Sequence, residues 1–314
     1  MIFMTKTIGD DCFENVDVTF CLVSLNEERS IRASLGAIIR ESKGFARAEI
    51  LVMAGGTDDT YDIAVSMLSD VKDAIVIEDA EPKGKPAALN TLFSMAHGKI
   101  LILSDGDVIL GAGSARKLVD SFNNVGIGCA SGRVIGAQDR PTPVTRSCRL
   151  MNEMMHAARS RDFADRGTIE LASGYLIAIR RELVPVLPHS INSDDGFLSR
   201  SVRSQKKTIV YVEDAIVTIN FPLTMQDFMK QKVRTRVGHL ELRRWFDADA
   251  NRNIFTEMKE YTRALRSGTI SDIDIVSILG ATVLSISVWI LVYLRIHVPF
   301  LFGHKVWTPV LSTK

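Results

Sequence analysis

Through its first hundred residues the chain alternates short apolar runs with stretches of helical period. Residues 18–25 read as a buried strand, and residues 30–40 carry Ile31, Leu35, Ile38 and Ile39 on one helical stripe. A second strand is expected over 48–53, ending at Gly55-Gly56, and a second helix over 59–68. A short strand over 74–78, a helix over 86–96 with Pro86 in its first turn, and a fourth strand over 100–103 complete the run. Strands alternating with helices through short turns predict an α/β fold with a mostly parallel sheet covered on both faces. Ligands of such sheets bind at the carboxyl ends of the strands. Asn26-Glu27-Glu28, Thr57-Asp58 and Asp105-Gly106-Asp107 all fall at such ends.

Further along come an apolar run over 171–179, the acidic Ser193-Asp194-Asp195-Gly196, and a strand over 208–212. Residues 226–246 read as a helix with Met229, Val233, Val237 and Leu240 on one stripe. Lys230, Lys232, Arg234, Arg236, Arg243 and Arg244 face only Asp227 and Glu241 in charge. A basic amphipathic helix suits an anionic lipid surface or headgroup, and equally the solvated face of an ordinary helix. Residues 275–294 contain no charge; Asp272 and Asp274 precede them and Arg295 ends them. About 20 apolar residues rising ~1.5 Å each span roughly 30 Å of hydrocarbon. Trp289 and Tyr293 suit a membrane interface, so a membrane segment is expected, with a buried core helix as the other reading. No internal repeat or low-complexity stretch interrupts the pattern.

A chain of 314 residues holds one large domain or two smaller ones. With 38 basic and 37 acidic residues the net charge is +1, so no global field favours nucleic acid. Cys12, Cys21, Cys129 and Cys148 are far apart, which argues against a zinc site or a disulfide scaffold and fits a reducing compartment. The histidines lack metal-motif spacing. Residues 1–17 carry Asp10, Asp11, Glu14 and Asp17 and lack the apolar core of a signal peptide.

The chemistry begins at Asp105-Gly106-Asp107, which follows Ile100-Leu101-Ile102-Leu103 with only Ser104 between. Two carboxylates one residue apart at a strand end can converge on a hard divalent cation. Mg²⁺ or Mn²⁺ takes one or two carboxylates plus phosphate oxygens and water, so the pair suggests a metal-diphosphate site rather than an all-protein cage. Alone, the pair would also suit a solvated turn; its position beside two other strand-end motifs favours the site.

Taken in order, the motifs resemble a family-2 glycosyltransferase of the GT-A fold over about residues 16–240. Val23-Ser24-Leu25-Asn26-Glu27-Glu28 resembles that family's first-strand signature, and Gly55-Gly56-Thr57-Asp58-Asp59-Thr60 its second. Gly84-Lys85-Pro86-Ala87-Ala88-Leu89-Asn90 is similar to its Gly-Lys-x-x-Ala-Leu-Asn segment, and Asp105-Gly106-Asp107 stands at its metal motif. Ala172-Ser173-Gly174-Tyr175, followed by Ile179-Arg180-Arg181-Glu182, resembles the acceptor-side segment; Asp194-Asp195 with Leu198 resembles the Glu-Asp motif.

The resemblance implies an inverting transfer of a sugar from a nucleotide-sugar. Asp107, with Asp105 on metal or ribose, would hold Mn²⁺ or Mg²⁺ at the diphosphate. Lys85 would add charge there, and Glu27 and Asp58 would meet the nucleoside. Asp195 is the favoured general base, with Asp194 the alternative; in a strand the two would face opposite sides. Gly174, Gln231, Arg234 and Arg236 fall on the acceptor side, the two arginines as a bidentate clamp on a pyrophosphate. Two departures matter. Met53-Ala54 stand where the family often has Asp-Asp, which leaves the nucleotide base open. Thr235 replaces the aromatic of the Gln-x-x-Arg-Trp motif begun by Gln231, which favours single-sugar transfer over polymer synthesis.

The sequence thus predicts a GT-A catalytic domain over 1–225, basic interface helices over 226–272, and a membrane segment with tail over 273–314. The expected enzyme acts on a lipid-linked or glycan acceptor at the cytosolic face of the cell membrane. Residues 307–314, from Trp307, resemble the tail of membrane-linked members that returns to the catalytic domain, which would make 275–294 a re-entrant or shallow segment rather than a spanning one. A catalytically silent membrane scaffold and a sugar nucleotidyltransferase are the alternatives. The latter's Gly-rich, Arg-containing loop after the first strand is replaced here by Asn26-Glu27-Glu28.

Overall fold

The computed structural model describes residues 16–137, 142–246 and 275–297, together with positions 259, 262 and 263. The chain runs β1 (Val18–Leu25), α1 (Ile31–Ser42), β2 (Ala48–Gly55), α2 (Thr60–Leu68), β3 (Ala74–Asp79), α3 (Lys85–Met95) and β4 (Ile100–Asp105). It continues through β5 (Val108–Leu110), α4 (Ser114–Asp120), β6 (Ile127–Gly136), α5 (Pro143–Arg166), β7 (Ile177–Arg180), α6 (Asp194–Ser204) and β8 (Thr208–Ile219). Two further helices follow, α7 (Met225–Glu241) and α8 (Ile275–His297).

The eight strands among the described residues join one sheet in the order β3-β2-β1-β4-β7-β6-β8-β5. The first half is parallel, as the alternation of strands and helices predicts: β1 pairs in parallel with both β2 and β4, and β2 with β3. The second half is mixed. β7 runs antiparallel to β4 and β6, and β5 antiparallel to β8, while β6 and β8 are parallel.

The parallel strands bury both faces, and their alternate residues enter two cores. Phe20, Leu22, Ile50 and Val52 pack on the side of α1, while Cys21, Leu51 and Met53 pack under α3 with Leu89 and Leu92. Met53 and Ala54 are core positions, 6% and 0% exposed, inside a strand that continues to Gly55. Neither side chain reaches the strand-end cleft.

Several sequence expectations change in the three-dimensional structure. Residues 171–176 are irregular and only Ile177–Arg180 form a strand. Asp194 and Asp195 open helix α6 rather than lying in a strand, capped by the Ser193 hydroxyl, which accepts from the Gly196 amide. The alternation argument for the two carboxylates therefore does not apply. The expected helix over 226–246 ends at Glu241 and tightens into a 3-10 turn, Leu242–Arg244. Residues 307–314 lie outside the described residues.

Helix α8 packs lengthwise on α5 and α7. Ala281, Leu284, Val288 and Val292 are buried in the same apolar cluster as one face of the sheet. A Cβ at Gly280 would collide with Ser147 Oγ of α5, so glycine allows the close approach. Residues Ser277–Arg295 are long and apolar enough to cross a membrane, yet one side of this helix is occupied by protein.

Candidate active site

The cleft lies at the carboxyl ends of β1, β2, β3 and β4, and its loops are braced by the very motifs singled out in the sequence. Asn26 adopts the left-handed region, φ 56°, and its Oδ1 accepts from the Thr57 amide at 2.7 Å. Gly56 has φ 121°, and a Cβ there would strike Asn26. Asp58 accepts from the Thr60 hydroxyl at 2.6 Å, the Thr60 amide at 3.1 Å and the Glu28 amide at 3.2 Å. The Glu27 amide donates to Thr60 Oγ1 at 2.6 Å. Asn26 and Asp58 thus lock the loop after β1 to the loop after β2.

Gly106 fits because a Cβ would collide with Glu27 Oε2 and Ser24 Oγ. Its carbonyl accepts from Ser34 Oγ at 2.8 Å and its amide donates to the Val23 carbonyl at 3.2 Å. The turn that carries Asp105 and Asp107 is therefore held against the ends of β1 and the start of α1. Glu27 accepts from Ser24 Oγ at 3.0 Å beside that turn.

Lys85, the first residue of α3, joins the two halves of the site. Its Nζ lies 2.8 Å from Asp105 and 2.9 Å from Asp194, with all three side chains 21–28% exposed. Burial alone would lower the lysine's proton affinity; the two carboxylates reverse this and raise it. Asp105 is pushed above the usual carboxylate range by burial, only partly relieved by Lys85.

Asp195 is oriented by three donors. Its Oδ1 accepts from Ser193 Oγ and from the Gly196 amide, both at 2.7 Å, and its Oδ2 accepts from the Gly174 amide at 3.2 Å. Burial pushes its carboxyl up, but His239, the Ser193 hydroxyl, the Gly196 amide and Lys85 outweigh this and hold it below the usual range. Tyr175 sits between the halves, accepting from Gln231 Nε2 at 3.1 Å. Burial raises its phenol first, then Asp107, Asp105 and Asp195 add to the effect, while Arg234 opposes it.

The structure brings Glu27, Asp58, Lys85, Asp105, Asp107, Gly174, Asp194, Asp195, Gln231 and Arg234 around one cleft. It does not bring Arg236 there. Two residues apart on a helix point in nearly opposite directions. Arg236 lies over the Trp289 ring of α8, 5.4 Å from its centroid, so it forms no clamp with Arg234.

Other residues of the site carried no sequence signal. Asp79 pairs in register with Gly55 at the end of β3 and is raised by burial. Arg159 of α5 lies within electrostatic reach of Tyr211 and Asp195, and burial lowers its proton affinity. Tyr211 is linked to His156 Nδ1 at 2.9 Å. A shallow hollow lined by Phe45, Arg47, Asp70, Lys72 and Asp73 lies at the opposite ends of the strands, away from these carboxylates.

A family model described as Glycosyltransferase like family 2 matches residues 16–238, which span every strand of the sheet. The chain is a family 2 glycosyltransferase. This assignment sets aside the nucleotidyltransferase alternative. No curated protein sequence matches the enzyme. Among solved structures it is similar to a mannosyltransferase from Pyrobaculum calidifontis in complex with GDP-Man and Mn²⁺. The TM-score is 0.63 at 17% identity, covering 92% of this chain and 88% of that one. It is similar to glucosyl-3-phosphoglycerate synthase from Mycobacterium tuberculosis, bound to Mn²⁺, UDP and phosphoglyceric acid. Here the TM-score is 0.51 at 19% identity, covering 73% and 78%. S. aureus TarS gives a TM-score of 0.51 at 14% identity, covering 82% of this chain and 44% of that one. These likenesses establish the GT-A fold.

The donor set suits a divalent ion bound together with its substrate. Among the described residues no group of three or more His, Cys, Asp or Glu is arranged to hold a metal. Asp105 and Asp107 offer hard oxygens from one tight turn, and the remaining coordination would come from diphosphate oxygens and water.

Proposed function

We propose that this glycosyltransferase moves a single sugar, with inversion, from a nucleoside diphosphate sugar to a lipid-linked or glycan acceptor at the cytosolic face of a membrane. The observation that carries the reading is the Lys85 bridge between Asp105, at the end of β4, and Asp194, at the start of α6. It joins a donor-side turn to an acceptor-side carboxylate pair within one cleft.

In this reading Asp107 and Asp105 would hold Mn²⁺ or Mg²⁺ beside the diphosphate, where it would supply Lewis-acid stabilisation of the negative charge on the leaving phosphate. Lys85 adds a point charge to the same oxygens when a donor takes the place of its carboxylate partners. Glu27 and the loop braced by Asp58 face the nucleoside. Asp79, beside Gly55, supplies the acid that Met53 and Ala54 do not, and is the residue assigned to the base or ribose. Asp195 is the general base. Its Oδ1 already accepts two hydrogen bonds and its Oδ2 one, which leaves Oδ2 to accept the proton of the acceptor hydroxyl. Its depressed proton affinity keeps it ionised at neutral pH, so proton transfer follows the rise in hydroxyl acidity as the new bond forms. Asp194 positions Lys85. Gly174 and Gln231, through Tyr175, shape the acceptor side, and Arg234 and Arg159 face an anionic acceptor group.

The test is a thermal-shift screen of nucleotide-sugars with and without Mn²⁺, followed by release of nucleoside diphosphate. A ligand at about 100 times its Kd stabilises by ~2.7 kcal/mol. The cognate donor is expected to stabilise the enzyme far more with metal present. Asp107→Ala should lower metal-dependent release at least about a hundredfold, the scale of losing one preorganised electrostatic contact. Undiminished release in that variant, or no release with any donor and acceptor tried, would sink the reading; the latter favours a silent scaffold.

A further inference from the structure

Helix α8 has two unlike faces. Ala281, Leu284, Ser285, Val288 and Val292 are buried, whereas Leu279, Val283, Ile286, Ile290 and Tyr293 are 41–62% exposed. The exposed set recurs at intervals of four, three, four and three, which is one stripe of a helix. At ~1.5 Å per residue it runs roughly 20 Å along the surface. A contiguous apolar stripe of this kind on a folded protein marks a contact surface.

The neighbours of α8 decide how it meets a membrane. A helix across the bilayer would either leave α5 and α7 or draw them into the hydrocarbon. Leaving them would uncover its buried face and break the Arg236–Trp289 stack. Drawing them in is excluded by their charges, among them Arg149, Glu153, Arg161, Lys230 and Glu241. Both alternatives fail, and the helix stays on the protein with its stripe outward.

We infer that α8 lies in the plane of the membrane, docked on α5 and α7, and that its exposed stripe enters one leaflet of an anionic lipid bilayer. This inference rests on the membrane placement proposed above, not on the donor chemistry. Charge complementarity names the occupant. Leaving aside Arg159 and Arg234, which face the cleft, α5, α7 and α8 carry eight arginines and lysines against five aspartates and glutamates, in a chain whose net charge is +1. Arg146 and Arg149 are exposed on either side of Ser147, the residue against which Gly280 packs. Basic side chains beside an in-plane apolar stripe match lipid phosphates above acyl chains. A second copy of the chain would fit less well, because a two-fold contact would set the same basic helices against each other.

The experiment uses the full chain and vesicles of phosphatidylcholine with or without phosphatidylglycerol. The protein is expected to float with the anionic vesicles and less with the neutral ones. Val283→Glu and Ile290→Glu, both at exposed positions, should each reduce partition about tenfold or more while keeping the melting temperature. Environment-sensitive probes at Leu279→Cys, Ile286→Cys and Tyr293→Cys should report one common depth with lipid-borne quenchers. A deeper probe at 286 than at both other positions would mean a spanning helix and overturn the inference. Absence of flotation would overturn it too, as would a lipid-free dimer that the glutamate variants dissociate. Should those variants fail to fold, the depth profile still decides. Nucleoside diphosphate release, measured in the same samples, separates the two readings: release without flotation sinks only the membrane inference, and flotation without release only the catalytic one.

Discussion

At the scale of single residues, the acidic side chains of the cleft do different work despite their similar chemistry. Asp195 is held ionised by the donors around it and by His239. Its contribution to stability is present above the ordinary carboxylate pKa of ~3.9 and is lost as pH falls through its depressed folded value. Acid inactivation through Asp195 is therefore expected only below the ordinary carboxylate range, and an acid limb that follows Asp195 well above that range would contradict this. Asp195→Asn should keep donor affinity and lose transfer by roughly 10²- to 10⁴-fold, the range of general-base catalysis; calorimetry that found donor affinity lost instead would reassign the residue. Asp105 has the opposite sign. Burial disfavours its charged form, so its ionisation opposes folding as pH rises. Asp105→Asn should leave the melting temperature of chelator-treated protein unchanged or higher while removing metal-dependent release. A clear drop in that temperature would contradict this account. Asp105, Asp107, Asp195 and Lys85 were legible in sequence because each sits in a short motif. Asp79 and Arg159 were not, because register between β2 and β3 and the path of α5 bring them to the cleft.

At the scale of elements, one helix contact sets the position of Asp195. Gly238 of α7 packs on the segment leading to Asp195. A Cβ there would stand 2.9 Å from the Asn192 carbonyl carbon and 3.0 Å from Ser193 Cβ. Gly238→Val should cost about 1–3 kcal/mol as an overpacking change. It should also lower kcat more than it raises donor KM, because Ser193 holds Asp195. Urea titration and steady-state kinetics check this, and a variant with wild-type kcat would remove α7 from the positioning of the base. The parallel strands were legible because strands buried on both faces read as continuous apolar runs. Helix α5 was not, although it is 24 residues long. Its buried face includes Thr145, Ser147 and Cys148 beside Leu150, Met151 and Met154, so the apolar period is weak. The helix start at Asp194-Asp195 was not legible, because it is decided by the Ser193 cap, a local hydrogen bond with little hydrophobic signature.

At the scale of the whole molecule, the sheet, α7 and α8 share one apolar cluster, so the C-terminal helix is structural before it is anything else. Deleting the chain after Asp272 removes buried Leu284, Val288 and Val292. At about 1.5–3 kcal/mol per buried side chain, the loss is on the order of 5 kcal/mol. The truncated protein should unfold at clearly lower denaturant, and an unchanged midpoint would show that α8 does not pack on α5 and α7 in solution.

The sequence by itself determined the parallel half of the sheet, the strand-end motifs and the family, because these depend on local periodicity and short spacings. Tertiary structure alone decided that Lys85 bridges Asp105 and Asp194 and that Arg234 and Arg236 part ways. It also decided that Met53 and Ala54 belong to the core and that the most apolar helix of the chain lies along the protein. Each of these depends on which distant elements become neighbours, and on which of two competing surfaces, protein or lipid, buries a given apolar face.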